Sequence, residues 1–343
     1  MKALVYREKA HLDLADVPRP TPGKAEAVVR VHLAGICGSD IGAWQGGFKR
    51  MKPPVTLGHE FVGVLEAAST ESLPPGLEIG ARVVAEPISS CGHCEHCRTG
   101  HYNVCSQIKV LGIDADGCFA ELVKVPVERI HPVPSDLPTE KAVLCEPLAV
   151  ALHMKEVAGV QPYHSVAVFG AGPIGLLVAL VCRNAGVFRL AVVETNAFRR
   201  EFAASLGAST FDGSDPKLVE TLRDFFGGVG PDVSFELAGS EGALRACLEI
   251  TKIRGSIMLG GFYKDLQHCD LRAAILKELG LRGSRMYNFA DFRNSLALLR
   301  QGSIDVGRLV TDVVGLDSAI RQGFERIGAG DSVMKILIDP SKK

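Results

Sequence analysis

Four cysteines lie close together between residues 91 and 105, in the segment CGHCEHCRTGHYNVC. The spacing C-x2-C-x2-C-x7-C lets neighbouring thiolates converge on one ion, and thiolates are soft ligands that suit tetrahedral Zn²⁺. Paired disulfides and an iron–sulfur cluster are the alternatives, although the usual cluster motif has a shorter last gap and a closing proline where this chain has Ser106. The predicted zinc ligands are Cys91, Cys94, Cys97 and Cys105. Four thiolates leave no open position, so we expect a structural role for this lobe, residues 88–106.

A glycine-rich turn, GAGPIG at residues 170–175, follows an apolar strand pattern and opens an apolar helix pattern. In that context the first glycine makes a tight turn, the second lets the backbone approach a pyrophosphate, and the third lets the helix pack closely on the strand. The helix N-terminus adds unpaired N–H groups that face the phosphates. The predicted dinucleotide contacts in this turn are Gly170, Gly172, Pro173, Ile174 and Gly175.

The next strand pattern, LAVVE, ends at Glu194. A carboxylate at this place hydrogen-bonds the hydroxyls of an adenosine ribose and repels a 2′-phosphate, so the sequence favours NAD over NADP. Arg199 and Arg200 follow on the next predicted helix. Each is open to three interpretations: a solvated helix residue, a guanidinium stacked on the adenine, or a partner for the extra phosphate of NADP. We include Arg199 among the predicted cofactor contacts.

The elements around these motifs divide the chain in two. Its 343 residues exceed what one hydrophobic core usually serves. Short strands separated by glycine and proline turns fill the first part, to about residue 147. From about residue 165, six strands alternate with helices, which predicts a doubly wound, mostly parallel sheet and an α/β fold.

The last part of the chain, after Arg285, contains a helix pattern, a short strand, an amphipathic helix at residues 318–327 and a closing strand at residues 333–338. This tail is too short to fold alone, so we expect it to return to the first domain. The predicted domains are residues 1–150 with 286–343, and residues 151–285.

Composition excludes several classes of function. The net charge is −1 and no basic tract suggests a groove that follows phosphates, which argues against nucleic-acid binding. The N-terminus lacks an apolar signal segment, and ten cysteines without such a signal indicate a reducing compartment, the cytoplasm by default. The charge-free segment at residues 165–182 is interrupted by glycines and a proline, so we expect a strand and a buried helix, with no membrane partner.

Two further segments, GICGSD at residues 35–40 and LGHE at residues 57–60, place ligand-type residues beside glycine at predicted strand ends. With the cysteine lobe, CEPLAVALH at residues 145–153 and GAGPIG following in this order, the whole chain resembles the zinc-dependent medium-chain dehydrogenase/reductase family. Glu146 stands where classical alcohol dehydrogenases have a ligand cysteine, as in the sorbitol dehydrogenase-like polyol branch. The resemblance implies a GroES-like catalytic domain, a Rossmann domain, and a homodimer or homotetramer formed through the nucleotide domains.

The resemblance also implies a second, catalytic zinc ion. Cys37, His59 and Glu60 resemble its ligands, and Glu146 the acid that binds it directly or through water. One thiolate, one imidazole and one carboxylate leave a position for a substrate oxygen. Cys145, beside Glu146, is a competing ligand candidate.

Further residues take roles from the same resemblance. Ser39 stands in the place of the hydroxyl that relays a proton, and Asp40 in that of the acid behind the zinc histidine. The chain departs from the family at Gly42, where the histidine that often completes the relay is missing. The proton is then expected to leave through ribose hydroxyls or water.

Substrate contacts are predicted at Arg285, with Tyr287 near it, and at Trp44 in a loop between the first two metal-ligand motifs. Arg285 is equally open to being an ordinary residue at a strand end. The same loop carries a basic run, which would select a sugar acid or sugar phosphate if it pointed inward and is otherwise solvated. Its members are Lys49, Arg50 and Lys52.

The resulting hypothesis is a zinc-dependent oxidoreductase that transfers hydride between NAD and a secondary hydroxyl of a polyol, sugar or cyclitol. One alternative is an L-threonine dehydrogenase-like activity, suggested by GCFAEL at residues 117–122, and others are sugar acid and sugar phosphate dehydrogenases. From a different class comes a non-catalytic zinc protein that binds a ligand or senses redox state. A nucleic-acid-binding zinc ribbon is disfavoured because Arg98 is the only strong base in the lobe and Glu95 offsets it.

Overall fold

The computed structural model describes residues 1–69, 73–263 and 265–342. The chain forms two compact units. Unit 1 comprises Met1–Glu146 with Asn288–Lys343, and unit 2 comprises Pro147–Tyr287. The tail after Tyr287 thus belongs to the same unit as the first part of the chain, and unit 2 is inserted between these two pieces.

The described residues contain strands in both units. In chain order they are β1 (Lys2–Glu8), β2 (His11–Asp16), β3 (Glu26–Gly35), β4 (Val55–Thr56), β5 (Glu60–Ala68), β6 (Arg82–Ala85), β7 (Ile88–Ser89), β8 (Lys109–Val110), β9 (Leu122–Pro126), β10 (Ile130–Pro132), β11 (Ser165–Phe169), β12 (Arg189–Glu194), β13 (Ser209–Asp212), β14 (Val233–Glu236), β15 (Ser256–Leu259), β16 (Gly280–Gly283), β17 (Val310–Gly315) and β18 (Lys335–Asp339).

Helices connect many of these strands. In chain order the α-helices are α1 (Gly38–Trp44), α2 (Glu95–Arg98), α3 (Thr139–Ala142), α4 (Cys145–Ala158), α5 (Pro173–Asn184), α6 (Ala197–Ser205), α7 (Leu218–Phe225), α8 (Glu241–Ile250), α9 (Arg272–Leu276), α10 (Phe289–Gln301) and α11 (Arg326–Ala329). Single 3₁₀ turns occupy Tyr102–Val104, Val127–Arg129 and Val306–Leu309.

Unit 1 is built on a sheet with the strand order β10-β6-β5-β3-β18-β17, in which β9 also pairs with β3. The long strand β3 runs antiparallel to all three strands that it pairs with, and its Gly35 lies opposite Glu60 of β5 and opposite Leu337 of β18. The end of β3 therefore lies beside the beginnings of β5 and β18. A small sheet, β2-β1-β4, and a two-stranded sheet, β7-β8, complete the β-rich unit.

Unit 2 contains a six-stranded sheet with the order β13-β12-β11-β14-β15-β16, and all its paired strands are parallel. All five residues of β11, SVAVF, are buried, as expected for a parallel strand covered on both faces. The strand order reverses between β11 and β14, which is where ligands bind in doubly wound sheets. The expected α/β class, with one β-rich and one doubly wound unit, is confirmed.

The tail differs from its sequence pattern in one place. Instead of a continuous α-helix at residues 318–327, a π-helix at Ile320–Glu325 precedes α11. The wider turn seats the fully buried Phe324 edge-on against Trp44 and Phe119, each at a ring-centroid distance of 5.9 Å. Packing of this one aromatic ring thus outweighs the preference of the segment for a regular α-helix of 3.6 residues per turn.

The charge-free segment at residues 165–182 divides into β11 and most of α5, as its glycines and proline predict. Helix α5 has 12 residues. Within the described ranges, no helix combines the length and apolar character needed to cross a bilayer.

Candidate metal and dinucleotide sites

Two chain segments of unit 1 meet at one end of its sheet. Cys37 follows β3 at the start of α1, whereas His59 and Glu60 stand where β5 begins. The antiparallel pairing of Gly35 with Glu60 fixes their register. A Cβ atom on Gly35 would lie 2.3 Å from Oε2 of Glu60, so a larger residue at this crossing would displace the Glu60 carboxylate.

Cys37, His59 and Glu60 form a group whose ligand atoms all lie within 4.8 Å of one another. His59 and Glu60 are buried, and the buried Oε1 of Glu60 accepts no hydrogen bond from any described residue. A buried carboxylate oxygen without a partner is costly unless a cation faces it. A thiolate, an imidazole and a carboxylate at this spacing suit Zn²⁺ and leave a fourth position for a substrate oxygen.

Asp40 supports this group from α1. Its Oδ2 accepts a hydrogen bond from the Cys37 N–H at 2.9 Å, and its Oδ1 lies 3.4 Å from Nδ1 of His59. Burial disfavours the charged imidazole, but the Asp40 carboxylate outweighs burial and raises the pKa of His59 well above its ordinary value. Metal binding here would therefore release a proton. The Ser39 hydroxyl lies 3.4 Å from Nε2 of His59, on the other side of the ring.

Lys335, at the start of β18, is a residue of this site that sequence reasoning missed. Its side chain is 3% exposed, its Nζ pairs with Oε2 of Glu60, and the same Nζ donates to the Ile36 carbonyl at 3.0 Å. Burial acts to lower the pKa of this lysine, but the Glu60 carboxylate outweighs that effect and raises it. The only sequence signal was a lysine inside the apolar closing strand, which does not reveal its partner.

Glu146 lies in the first turn of α4 and is buried, but its carboxylate lies outside the converging group of three. The Cys145 thiol points elsewhere: its Sγ lies 2.8 Å from Oγ of Ser295 and donates to the Phe292 carbonyl. Burial raises the pKa of Cys145 well above its ordinary value. Cys145 is therefore a protonated core thiol, and the group that could hold a metal ion here is Cys37, His59 and Glu60.

The four lobe cysteines also converge, with all four sulfur atoms within 4.8 Å. The Cys91–Cys97 and Cys94–Cys105 sulfur pairs are each 3.9 Å apart, and all four cysteines are free thiols. Zn–S bonds of about 2.3 Å place the corners of a tetrahedron roughly 3.8 Å apart, whereas a disulfide needs about 2.05 Å. Backbone N–H groups lower the pKa of Cys91 to about 6, which favours its thiolate, whereas burial and the neighbouring sulfur atoms raise the pKa of Cys94 to about 11. The geometry fits one zinc ion.

A buried polar cluster ties this lobe to the sheet of unit 1. Glu86 is fully buried, accepts a hydrogen bond from the Tyr102 hydroxyl at 2.5 Å and lies 3.0 Å from Nε2 of His131. The Arg129 guanidinium lies 3.5 Å from Glu86 and stacks on the Tyr102 ring at 4.1 Å. Sequence reasoning missed this cluster because its members are scattered along the chain.

Unit 2 carries a cavity of about 430 Å³ beside the glycine-rich turn. Gly170 has φ +103°, and a Cβ atom on Gly175 would lie 1.9 Å from the Gly170 carbonyl oxygen, so both positions require glycine. Gly172 caps α5, and Pro173 and Ile174 form its first turn. This is the strand, turn and helix context that a pyrophosphate-binding motif needs.

Glu194 ends β12 and lines the same cavity. Its Oε2 accepts from the Ala171 N–H at 2.8 Å and its Oε1 from the Asn196 N–H at 2.9 Å, which fixes the carboxylate at the cavity rim. Arg199 also lines the cavity, near Gly172. By contrast, Arg200 pairs with Asp212 at 3.1 Å and donates to backbone carbonyls.

The predicted substrate contacts fall in different units. Trp44 ends α1 in unit 1 and packs on Phe324, whereas Arg285 is exposed in unit 2 after β16, and Tyr287 is fully buried. Within the basic run of unit 1, Arg50 pairs with Asp114 at 3.1 Å. That arginine is therefore already engaged by a carboxylate.

The GCFAEL segment is part of the core. Cys118, Phe119 and Ala120 are fully buried, and a Cβ atom on Gly117 would lie 2.1 Å from the Gly58 carbonyl oxygen. These residues therefore pack the core of unit 1. Of the cysteines without motif partners, Cys118, Cys182 and Cys247 are buried and Cys269 is half-buried.

Two family models match the chain. The model described as alcohol dehydrogenase GroES-like domain matches residues 23–135, and the model described as zinc-binding dehydrogenase matches residues 173–301. L-threonine 3-dehydrogenase of Stenotrophomonas maltophilia is 32% identical over 98% of this chain and 99% of its own. D-xylulose reductase A of Aspergillus niger is 30% identical over 93% of this chain and 92% of its own. A protein from Sinorhizobium meliloti described as a zinc-binding dehydrogenase, solved with NADP, has a TM-score of 0.91 and 30% identity, with 99% of each chain covered.

Proposed function

Since the chain belongs to the zinc-dependent medium-chain dehydrogenase family, we propose that it transfers hydride between NAD and a secondary hydroxyl of a polyol, sugar or cyclitol. The convergence of Cys37, His59 and Glu60 carries this proposal, together with a buried Glu60 oxygen that has no hydrogen-bond partner among the described residues. A protein that had lost catalysis would have no need to keep three such ligands together. The structural ion of the lobe is the second zinc of the chain.

A bound zinc ion would polarise a substrate oxygen there, and a nicotinamide cofactor would exchange the hydride. The residues of the chain prepare the site. Asp40 orients the His59 ring, and Lys335 balances the charge of Glu60. The Ser39 hydroxyl, in contact with His59, is placed to accept and pass on the substrate proton. Glu146 is buried close enough for its charge to act on Lys335, and we assign it a contact with the metal through water.

NAD is the proposed cofactor because Glu194 stands at the rim of the unit 2 cavity, where an adenosine ribose would place its hydroxyls. Arg200 is bound to Asp212 and to carbonyl oxygens, which leaves Arg199 as the cation lining that cavity. The solved relative with bound NADP is the observation that favours NADP instead.

Because the cysteines are free thiols, we also propose the cytoplasm as the compartment.

The proposal predicts NADH formation, followed at 340 nm, with at least one member of a panel of polyols, aldoses, cyclitols, sugar acids, sugar phosphates and L-threonine. We expect kcat/KM to be at least roughly tenfold higher with NAD than with NADP, which corresponds to about 1.4 kcal/mol. Turnover restricted to L-threonine or to anionic sugars would select one of the alternative dehydrogenase activities. Bound NADH and two zinc ions without any turnover would instead support a non-catalytic binding protein.

We further propose that unit 2 forms a homodimer or homotetramer through the edge of its sheet. β16 pairs only with β15 among the described strands, so its outer backbone edge lacks a neighbour. Large apolar residues near this edge are exposed: Ile275 by 75%, Leu276 by 82% and Leu281 by 36%. A second copy of the chain supplies an identical edge and apolar surface, which is the self-complementary arrangement of a twofold dimer.

We expect Leu276→Glu to convert the oligomer largely to monomer, because a charge would be buried in that interface. Light scattering coupled to size-exclusion chromatography measures the mass. The matched control is Val229→Glu. Val229 is an apolar residue of unit 2 that is 70% exposed, and this variant should leave the mass unchanged. A wild-type monomer, or an oligomer unaffected by Leu276→Glu, would exclude this interface.

A further inference from the structure

Glu236, the last residue of β14, is a fully buried carboxylate with no role in the chemistry above. Its Oε1 accepts hydrogen bonds from the N–H groups of Ala238, at 3.1 Å, and Gly239, at 2.8 Å. Its Oε2 accepts from the Tyr263 hydroxyl at 2.5 Å. The Ser240 N–H approaches Oε1 as well, at 3.5 Å. Buried charges persist when hydrogen bonds replace their lost hydration, so all four donors contribute to holding this carboxylate in place.

Glu236 thereby joins two loops at the carboxyl end of the sheet, residues 237–240 after β14 and residues 260–263 after β15. Its carbonyl oxygen also accepts from the N–H groups of Gly260, at 3.0 Å, and Gly261, at 2.9 Å. A Cβ atom on Gly261 would lie 2.6 Å from Oε2 of Glu236. Side chain and backbone of one residue thus fix both loops closely together.

The first of these loops is a wall of the dinucleotide cavity. Leu237, Ala238 and Ser240 line that cavity together with Gly170 and Glu194. A Cβ atom on Gly170 would lie 3.0 Å from the Ala238 nitrogen, so the loop already touches the glycine-rich turn. Even a small displacement of the loop would change the width of the cavity where the strand order reverses.

We propose that Glu236 and Tyr263 act as a positioning pair that holds the 237–240 loop in its cofactor-binding conformation and so sets dinucleotide affinity without touching the cofactor. This inference rests on the proposed binding of a dinucleotide in the unit 2 cavity. Burial, followed by the Glu236 carboxylate, raises the pKa of Tyr263 well above its ordinary value. The tyrosine therefore remains a hydrogen-bond donor throughout the neutral range.

The test compares Tyr263→Phe, Glu236→Gln and the double variant in the full-length, zinc-loaded protein. We expect each variant to bind NADH about tenfold more weakly in a fluorescence titration, as for loss of one hydrogen bond to a buried charge. KM for NAD should rise by a similar factor while kcat at saturating NAD changes less than about twofold. The double variant should lose little more than Glu236→Gln, since both changes act on the one contact between side chain 236 and the Tyr263 hydroxyl.

The matched control is Ser234→Ala, in the same strand. Ser234 is fully buried and its hydroxyl lies 2.7 Å from that of Thr251, so this variant loses a buried hydrogen bond away from the loop. It should lower the melting temperature and leave NADH affinity unchanged. Unchanged affinity in Tyr263→Phe, or an equal loss in Ser234→Ala, would overturn the positioning role alone. If the wild type bound neither NADH nor NADPH, the dinucleotide assignment would fall and this inference with it.

Discussion

Replacing Cys37 with serine is expected to lower kcat/KM by roughly 10³-fold or more and to reduce the zinc content from two ions per chain to one. Cys37 supplies the thiolate of the group in unit 1, and zinc contributes several kcal/mol of transition-state stabilisation at such sites. The lobe cysteines are untouched, so one zinc ion remains. Metal analysis of purified protein, paired with the NADH assay, measures both effects.

The matched control for this experiment is Cys269→Ser. Cys269 is half-buried and lies outside both metal groups, so this variant should keep two zinc ions and full activity. Circular dichroism should show the same secondary structure in both variants. Full activity in Cys37→Ser, or retention of both zinc ions, would mean that the catalytic group lies elsewhere.

Site residues could be predicted from the sequence where a short stretch of neighbouring residues determines their local conformation. The glycine-rich turn and Glu194 belong to one strand–helix–strand unit, so the periodicity of a short segment was enough to place them at one cavity. The same is true of the lobe, where short spacers bring four thiols together. The geometry of such short segments depends little on the rest of the fold, so it can be predicted from the local sequence alone.

Contacts set by strand register could not be predicted in this way. Lys335 reaches the Ile36 carbonyl across a separation of 299 residues, because β18 pairs with β3. Its sequence neighbours suggest only a closing strand. The GCFAEL segment adds a packing contact of the same kind, because Gly117 approaches the Gly58 carbonyl too closely for a Cβ atom to fit.

The irregular end of the chain illustrates a third limit. A period of 3.6 residues predicts a continuous helix at residues 318–327, but Phe324 enters the core between two aromatic rings and the turn widens. The domain boundary is a second example. It falls at Glu146, inside α4, where the helical pattern of the sequence has no break. Tertiary packing, rather than propensity, decides such positions.

The second large effect is expected from Lys335→Met, and it should depend on the metal. Lys335 is buried and pairs with Glu60, and removing one partner of a buried pair costs about 3–5 kcal/mol because the other charge is left uncompensated. A zinc ion facing the same carboxylate would replace the lost cation. We therefore expect the free energy of unfolding to fall by the full amount without the catalytic zinc and by clearly less with it.

The Cys37→Ser variant supplies the state without catalytic zinc while its lobe keeps the structural ion, which a chelator would also remove. Urea unfolding of the wild type, both single variants and the double variant then gives the cost of Lys335→Met in each state. By reciprocity, a smaller cost with zinc requires Lys335→Met to bind the catalytic zinc more tightly than the wild type does. Lys335→Arg, which keeps the charge, should show no such metal dependence. Equal costs in the two states would show that Glu60 is not shared between the lysine and the metal.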